Sequence, residues 1–178
     1  MNSKKINKTI LYIVDALILI SGIFLDRLSK YYAFNKLNGH PSVSLISGVL
    51  ELRYLENTGA AFGLLKNQLS FFILVAVVVL MACLYVIIKA PGRKKYIAFS
   101  ILVTCIATGA LGNLIDRFMY GYVIDFIYFS IINFPIFNVA DIFVTLPTII
   151  FVFLFIFVYK EDDLNFLMFK EKKLRDVN

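Results

Sequence analysis

Four long apolar runs dominate this chain of 178 residues. Residues 69–88, 96–115 and 142–159 contain no charged side chain, and residues 10–25 carry only Asp15. A helix needs about 20 apolar residues to cross the hydrocarbon core of a bilayer. The two shorter runs reach that length when extended by a turn, the first toward Tyr32 and the last back through Asp141 toward Pro135. The expected spans are therefore 10–32, 69–88, 96–117 and 135–159. Pro147 falls inside the fourth, where neighbouring helices take up the carbonyl that it frees. Composition points the same way: 60% of the residues are hydrophobic and 17% charged, against roughly 45–50% and about 25% in soluble domains. Disordered, collagen-like, coiled-coil and disulfide-rich secreted chains are excluded by the same figures.

The basic residues orient the spans. Lys4, Lys5 and Lys8 precede the first, Lys89, Arg93, Lys94 and Lys95 link the second to the third, and Lys160, Lys170, Lys172, Lys173 and Arg175 follow the fourth. Lysine and arginine accumulate on the cytoplasmic side of membrane proteins, so both termini are expected there, with 160–178 as a cytoplasmic tail. The first run resembles a cleavable leader, but no small-x-small site follows it, and we read it as a retained helix. The net charge of +6 is spread among these segments, which argues against nucleic acid as a partner. Cys83 and Cys105 sit within apolar runs, and the single His40 lies in a turn-like stretch beside Pro41. No metal or cofactor is expected from such a set.

Two segments remain for the outer face. Within residues 33–68, Leu50 to Leu55 alternates apolar and polar side chains, the period of a half-covered strand, and Gly39, Pro41 and Gly48 mark turns. The expected fold class is thus an α-helical integral membrane protein with four transmembrane helices and a small extracytoplasmic β-sheet on the membrane surface, forming one polytopic domain over 1–178. From Phe126 to Tyr159 there are 34 residues with Asp141 as the only charge. That is too long for one span, so part of it must lie along the interface or re-enter the protein.

Acids in apolar surroundings need a partner, a proton or a task. Asp26 and Lys30 are spaced for a helical ion pair, and Asn113, Asp116 and Arg117 form a polar cluster at the outer end of the third span. Asp15 lies near the cytoplasmic end of the first span, within reach of the interface. Asp125 and Asp141 lie at one membrane face with no basic residue close in sequence to serve them both. Two carboxyls held together in a low dielectric share a proton, the state in which one activates water while the other hydrogen-bonds a scissile carbonyl. A small proton or ion carrier with the same aspartates as relay sites accounts for them equally well. No serine or cysteine has a base beside it.

Taken in order, Asp26-Arg27-Leu28-Ser29-Lys30, Asn57-Thr58-Gly59-Ala60-Ala61-Phe62-Gly63, Gly112-Asn113-Leu114-Ile115-Asp116-Arg117, Val123-Ile124-Asp125-Phe126 and Phe137-Asn138-Val139-Ala140-Asp141 closely resemble the lipoprotein signal peptidases, or signal peptidase II. The resemblance covers about residues 10 to 160. It implies an intramembrane aspartic endopeptidase that cleaves prolipoproteins on the N-terminal side of a diacylglyceryl-modified cysteine, and globomycin as an inhibitor. It places the catalytic aspartates at Asp125 and Asp141. It assigns site-shaping or substrate-binding roles to Asn57, Gly59, Ala61, Asn113, Asp116, Arg117, Asn138 and Ala140, and a structural role to the Asp26–Lys30 pair. Phe62 is expected either as a lid or wall over the peptide, in a Leu50 to Gly63 segment that closes on it, or equally as an anchor of the surface sheet in the interface. Asn138 and Asp141, three apart, are expected to share a helix face. Gly109 and Gly112 leave the third span narrow enough for close packing. The implied setting is the bacterial cytoplasmic membrane, with the site toward the extracytoplasmic face, lipid and prolipoprotein as partners, and a monomeric enzyme.

Overall fold

The computed structural model describes residues 5–59 and 65–167. Among these residues four helices are long and apolar enough to cross a membrane: α1 (Lys8–Leu37), α2 (Leu69–Lys89), α3 (Ile97–Tyr120) and α4 (Val139–Phe157). Their outward faces are apolar, with Leu17, Ile20 and Phe24 of α1, Leu74, Val78 and Met81 of α2, and Ile149 and Phe153 of α4 all exposed. Such a surface suits lipid and no other solvent. Helix α3 lies at the centre and packs against α1, α2 and α4. Its glycines make that possible: a Cβ on Gly109 would overlap the Ala140 carbonyl, and one on Gly112 would come within 2.8 Å of Asp26 Oδ2.

The sheet lies at the end of the bundle where α1 and α3 finish and α4 begins. Strands β1 (Val43–Ile46), β2 (Leu50–Asn57) and β3 (Val123–Phe129) pair antiparallel in the order β1-β2-β3. Ile124 and Phe126 of β3 pack with Ala33 and Leu37 of α1, leaving the alternate residues Val123 and Asp125 to the other face. A bulge between Leu52 and Leu55 shifts the β2–β3 register so that Leu55 opposes Asp125 and Asn57 opposes Val123.

Several boundaries differ from those read off the sequence. Helix α1 continues five residues past Tyr32, because its stop signal is the positive-φ Gly39 (φ 73°) and the polar Asn35 and Lys36 are exposed at its end, Asn35 donating back to the Tyr31 carbonyl (2.7 Å). Residues 135–138 are not helical: Phe137 exchanges hydrogen bonds with Ile127 (2.8 and 3.0 Å), and Asn138 caps α4. The long uncharged stretch therefore divides into a strand, a 3-10 turn at Ser130–Ile132 and a return strand-like bridge before the helix. At the opposite end of the bundle, the 3-10 segment Glu161–Leu167 folds back onto α3. Tyr96 donates to the Asp163 carbonyl (2.8 Å), Lys95 pairs with Asp163 (2.5 Å), and Phe166 packs edge-on against Tyr96 and Phe99. Asp15 does not reach the interface. It is buried between α1 and α3, where Ser100 donates to it at 2.9 Å.

Candidate active site

Asp125 and Asp141 converge on one cleft of about 350 Å3 at the sheet end of the bundle, with Asn57, Asn113, Arg117 and Thr145 also on its walls. Their positions follow from local structure. Asp125 faces the cleft because β3 alternates, and Asn57 is its diagonal neighbour across the β2–β3 pair. Asp141 is the third residue of α4, and its carboxylate accepts from the Asn138 backbone N–H (3.0 Å) while Asn138 Oδ1 accepts from the Asp141 N–H (3.0 Å). This is a reciprocal capping box. Asn138 thus sits at the N-cap rather than on the helical face beside Asp141, and both its amide and its backbone enter the site.

All four carboxylate oxygens meet an N–H donor. Asn57 Nδ2 donates to Asp125 Oδ2 (2.8 Å) and Asn138 Nδ2 to Asp125 Oδ1 (2.6 Å). Asn113 Nδ2 donates to Asp141 Oδ1 (2.7 Å), and the Asn138 N–H completes Asp141 Oδ2. The amide orientations are dictated by partners that only donate: Gly59 N–H to Asn57 Oδ1 (2.9 Å), Asp141 N–H to Asn138 Oδ1, and the Lys30 ammonium to Asn113 Oδ1 (3.0 Å). Burial and the charge of nearby Asp141 push the Asp125 carboxyl up to about 7, against the pull of the two asparagine donors and Lys30.

Beneath this dyad lies a buried ionic cluster. Lys30 contacts Asp26 Oδ2 (3.0 Å) and Asp116 Oδ2 (2.7 Å), and Arg27 contacts Asp26 (3.0 Å) and Asp116 (2.5 Å). Two acids and two bases balance, as buried charges must. The cluster also ties elements together: Asp26 Oδ1 accepts from the Ala140 N–H (3.1 Å) at the start of α4, and Asp116 Oδ2 from the Ile124 N–H (3.2 Å) of β3. The sequence had placed Asp116 with Arg117. Adjacent helical residues point about 100° apart, and Arg117 instead lies over the Phe72 ring (4.9 Å) and donates to the Asn113 carbonyl (3.4 Å).

Of the residues singled out from sequence, Asn57, Gly59, Asn113, Arg117, Asp125 and Asp141 line the cleft. Asn138 is fully buried between the two acids, and Ala140 is packed under Gly112. Asp26, Lys30 and Asp116 form the layer below. Ala61 and Phe62 lie outside the described residues. Sequence reading missed Arg27 as an ion-pair partner, and Phe72, Thr145 and the apolar wall at Phe134–Phe137 as lining. Thr145 was legible, one helical turn beyond Asp141; the others depend on contacts between distant segments. Among the described residues no cluster suited to a metal ion is present.

A sequence profile of signal peptidase (SPase) II matches residues 18–157. Lipoprotein signal peptidases of Clostridium tetani, Clostridioides difficile and Caldanaerobacter subterraneus are 38%, 43% and 44% identical to this chain over 152, 148 and 136 residues. Those stretches cover 84%, 83% and 76% of this chain and 94%, 94% and 90% of the relatives. A bacterial membrane enzyme solved by the in meso method at 2.3 Å superposes with a TM-score of 0.74 and 30% identity, over 100% of this chain and 99% of that one. A profile match through all four helices, with relatives this similar along nearly their whole length, means that the chain belongs to the signal peptidase II family and is a membrane peptidase of lipoprotein processing.

Proposed function

We propose that the enzyme is an aspartic endopeptidase that cleaves prolipoproteins immediately before a diacylglyceryl-modified cysteine, with Asp125 and Asp141 as its catalytic pair. The observation that carries this reading is the convergence of two buried carboxyls, each held by N–H donors on both oxygens, in a cleft open at the sheet end of the bundle. Asp125, with its carboxyl raised to about 7, carries the shared proton and hydrogen-bonds the scissile carbonyl oxygen. Asp141 takes a proton from water, whose oxygen attacks the carbonyl carbon. The tetrahedral intermediate collapses as the C–N bond breaks and the amine leaves with a proton from the pair.

The basic-residue distribution supports cytoplasmic termini and a site at the outer face of the cytoplasmic membrane. The substrate's acyl chains lie in lipid, each buried methylene contributing about 0.8 kcal/mol, while its peptide enters the cleft. Asn57, Gly59, Asn113, Arg117, Asn138 and Ala140 shape this site, Asp116 braces it, and Ala61 and Phe62 belong to the segment that covers the peptide. The enzyme works as a monomer and is blocked by globomycin. Cleavage of a diacylglyceryl-modified prolipoprotein by purified protein in detergent tests the reading. Asp125→Asn and Asp141→Asn should each lower kcat by at least about 100-fold while remaining folded, and an unlipidated substrate should go uncut. Near-normal turnover by either variant would remove the dyad.

A further inference from the structure

We propose that Lys30 is a positioning residue for hydrolysis: its ammonium fixes the Asn113 side-chain amide so that Nδ2, and not Oδ1, faces Asp141. This builds on the dyad reading above and gives one member of the pair a dedicated orienting group. The support is geometric. An ammonium has three protons and accepts nothing, and Lys30 Nζ has three acceptors in reach: Asp26 Oδ2 at 3.0 Å, Asp116 Oδ2 at 2.7 Å and Asn113 Oδ1 at 3.0 Å. Each proton is assigned, and the side chain is 2% exposed, so the cation neither swings away nor trades its partners for water.

The atom of Asn113 that meets a pure donor must be its oxygen. Nδ2 therefore turns to Asp141 Oδ1 at 2.7 Å. Asn138 Nδ2 also donates to Asn113 Oδ1, but at 3.1 Å and with its other proton committed to Asp125 at 2.6 Å. The charged donor is the stronger of the two. With Lys30 lost, only the longer Asn138 bond holds the Asn113 amide, which can then rotate and present a lone pair to Asp141, a repulsive arrangement for a carboxylate that must take a proton from water. The ionic cluster thereby does more than join α1 to α3. Its surplus hydrogen bond reaches the reacting carboxylate through one amide.

Lys30→Met, of similar length but without a donor, is made in an Asp116→Asn background, where Asp26 and Arg27 remain as a balanced pair. Relative to Asp116→Asn alone, kcat for the lipidated substrate should fall between about tenfold and about 100-fold, the worth of a charge-assisted hydrogen bond, with KM changed less than about threefold. Lys30→Arg should restore most of the loss. Asn113→Ala, which leaves the ionic cluster intact, should lower kcat to a similar degree, and adding Lys30→Met to it should cost little more. Folded protein is quantified by thermal melting and by size-exclusion chromatography in detergent.

A folded Lys30→Met variant with near-unchanged kcat overturns the proposal. So does a further tenfold loss on adding Lys30→Met to Asn113→Ala, which marks a purely structural lysine. If the Lys30 variants do not fold, Asn113→Ala decides: retained kcat removes the relay, and lost kcat at unchanged KM upholds it. Failure of the dyad reading shows separately, as activity in Asp125→Asn or Asp141→Asn with Lys30 in place.

Discussion

Asp125 shows how one side chain links stability to chemistry. Its carboxyl titrates near 7 in the fold because of burial and the neighbouring Asp141, whereas in an unfolded chain it titrates near 3.9. The folded form thus holds an extra proton between these values, so the contribution of Asp125 to stability is fully present below about pH 4 and is lost as pH rises through about 7. Thermal midpoints in detergent should fall across that window. Asp125→Asn should flatten the trend, recovering at most about 4 kcal/mol at pH 7.5, the value of a three-unit shift. In the mechanism proposed above the same proton is donated to the scissile carbonyl, so kcat/KM should decline as pH rises through about 7. A profile still climbing at pH 8 would contradict that role. Asp125 and Asp141 were legible in the sequence as charges stranded in apolar runs. The Lys30–Asn113 contact was not, since 83 positions separate the two and no local pattern joins them.

Elements were legible in proportion to how one-sided their surroundings are. The four apolar runs declared α1 to α4, and the alternation at Leu50 to Leu55 declared β2. Strand β3 stayed hidden because Val123 to Phe126 is buried on both faces, which erases the period-two signal. The start of α4 was misplaced because the bridge to Ile127 and the Asn138 cap are tertiary facts. Close approach is the feature on which helix packing turns here. In Gly112→Ala the added methyl meets Asp26 Oδ2, so the carboxylate must shift, which disturbs the Lys30 and Arg27 contacts of Oδ2 and the Ala140 N–H bond to Oδ1. We expect a loss of about 1–3 kcal/mol, seen as a lower melting temperature together with lower kcat. An unchanged melting temperature would mean that α3 is less tightly apposed to α1 and α4 than the structure has it.

At the scale of the molecule, the two ends of the bundle divide the work. The cleft and the ionic cluster occupy one, and an aromatic cluster of Tyr96, Phe99, Tyr159 and Phe166 with the folded-back Glu161–Leu167 segment occupies the other. Phe99→Ala should therefore lower stability by about 3–5 kcal/mol yet leave kcat unchanged at temperatures well below its melting point. A drop in kcat at 25 °C would show that the two ends are coupled. The ionic cluster also bears on the order in which the chain is made. Helix α1 reaches the membrane first with Asp26, Arg27 and Lys30, one positive charge in excess, and Asp116 neutralises it only when α3 arrives. Asp141 and Asn138 come last. Until the fourth helix is threaded, Asp125 has Asn57 beside it but neither Asn138 nor Asp141, so on the proposed mechanism the protein is born inert and acquires its cutting power in the final step of insertion.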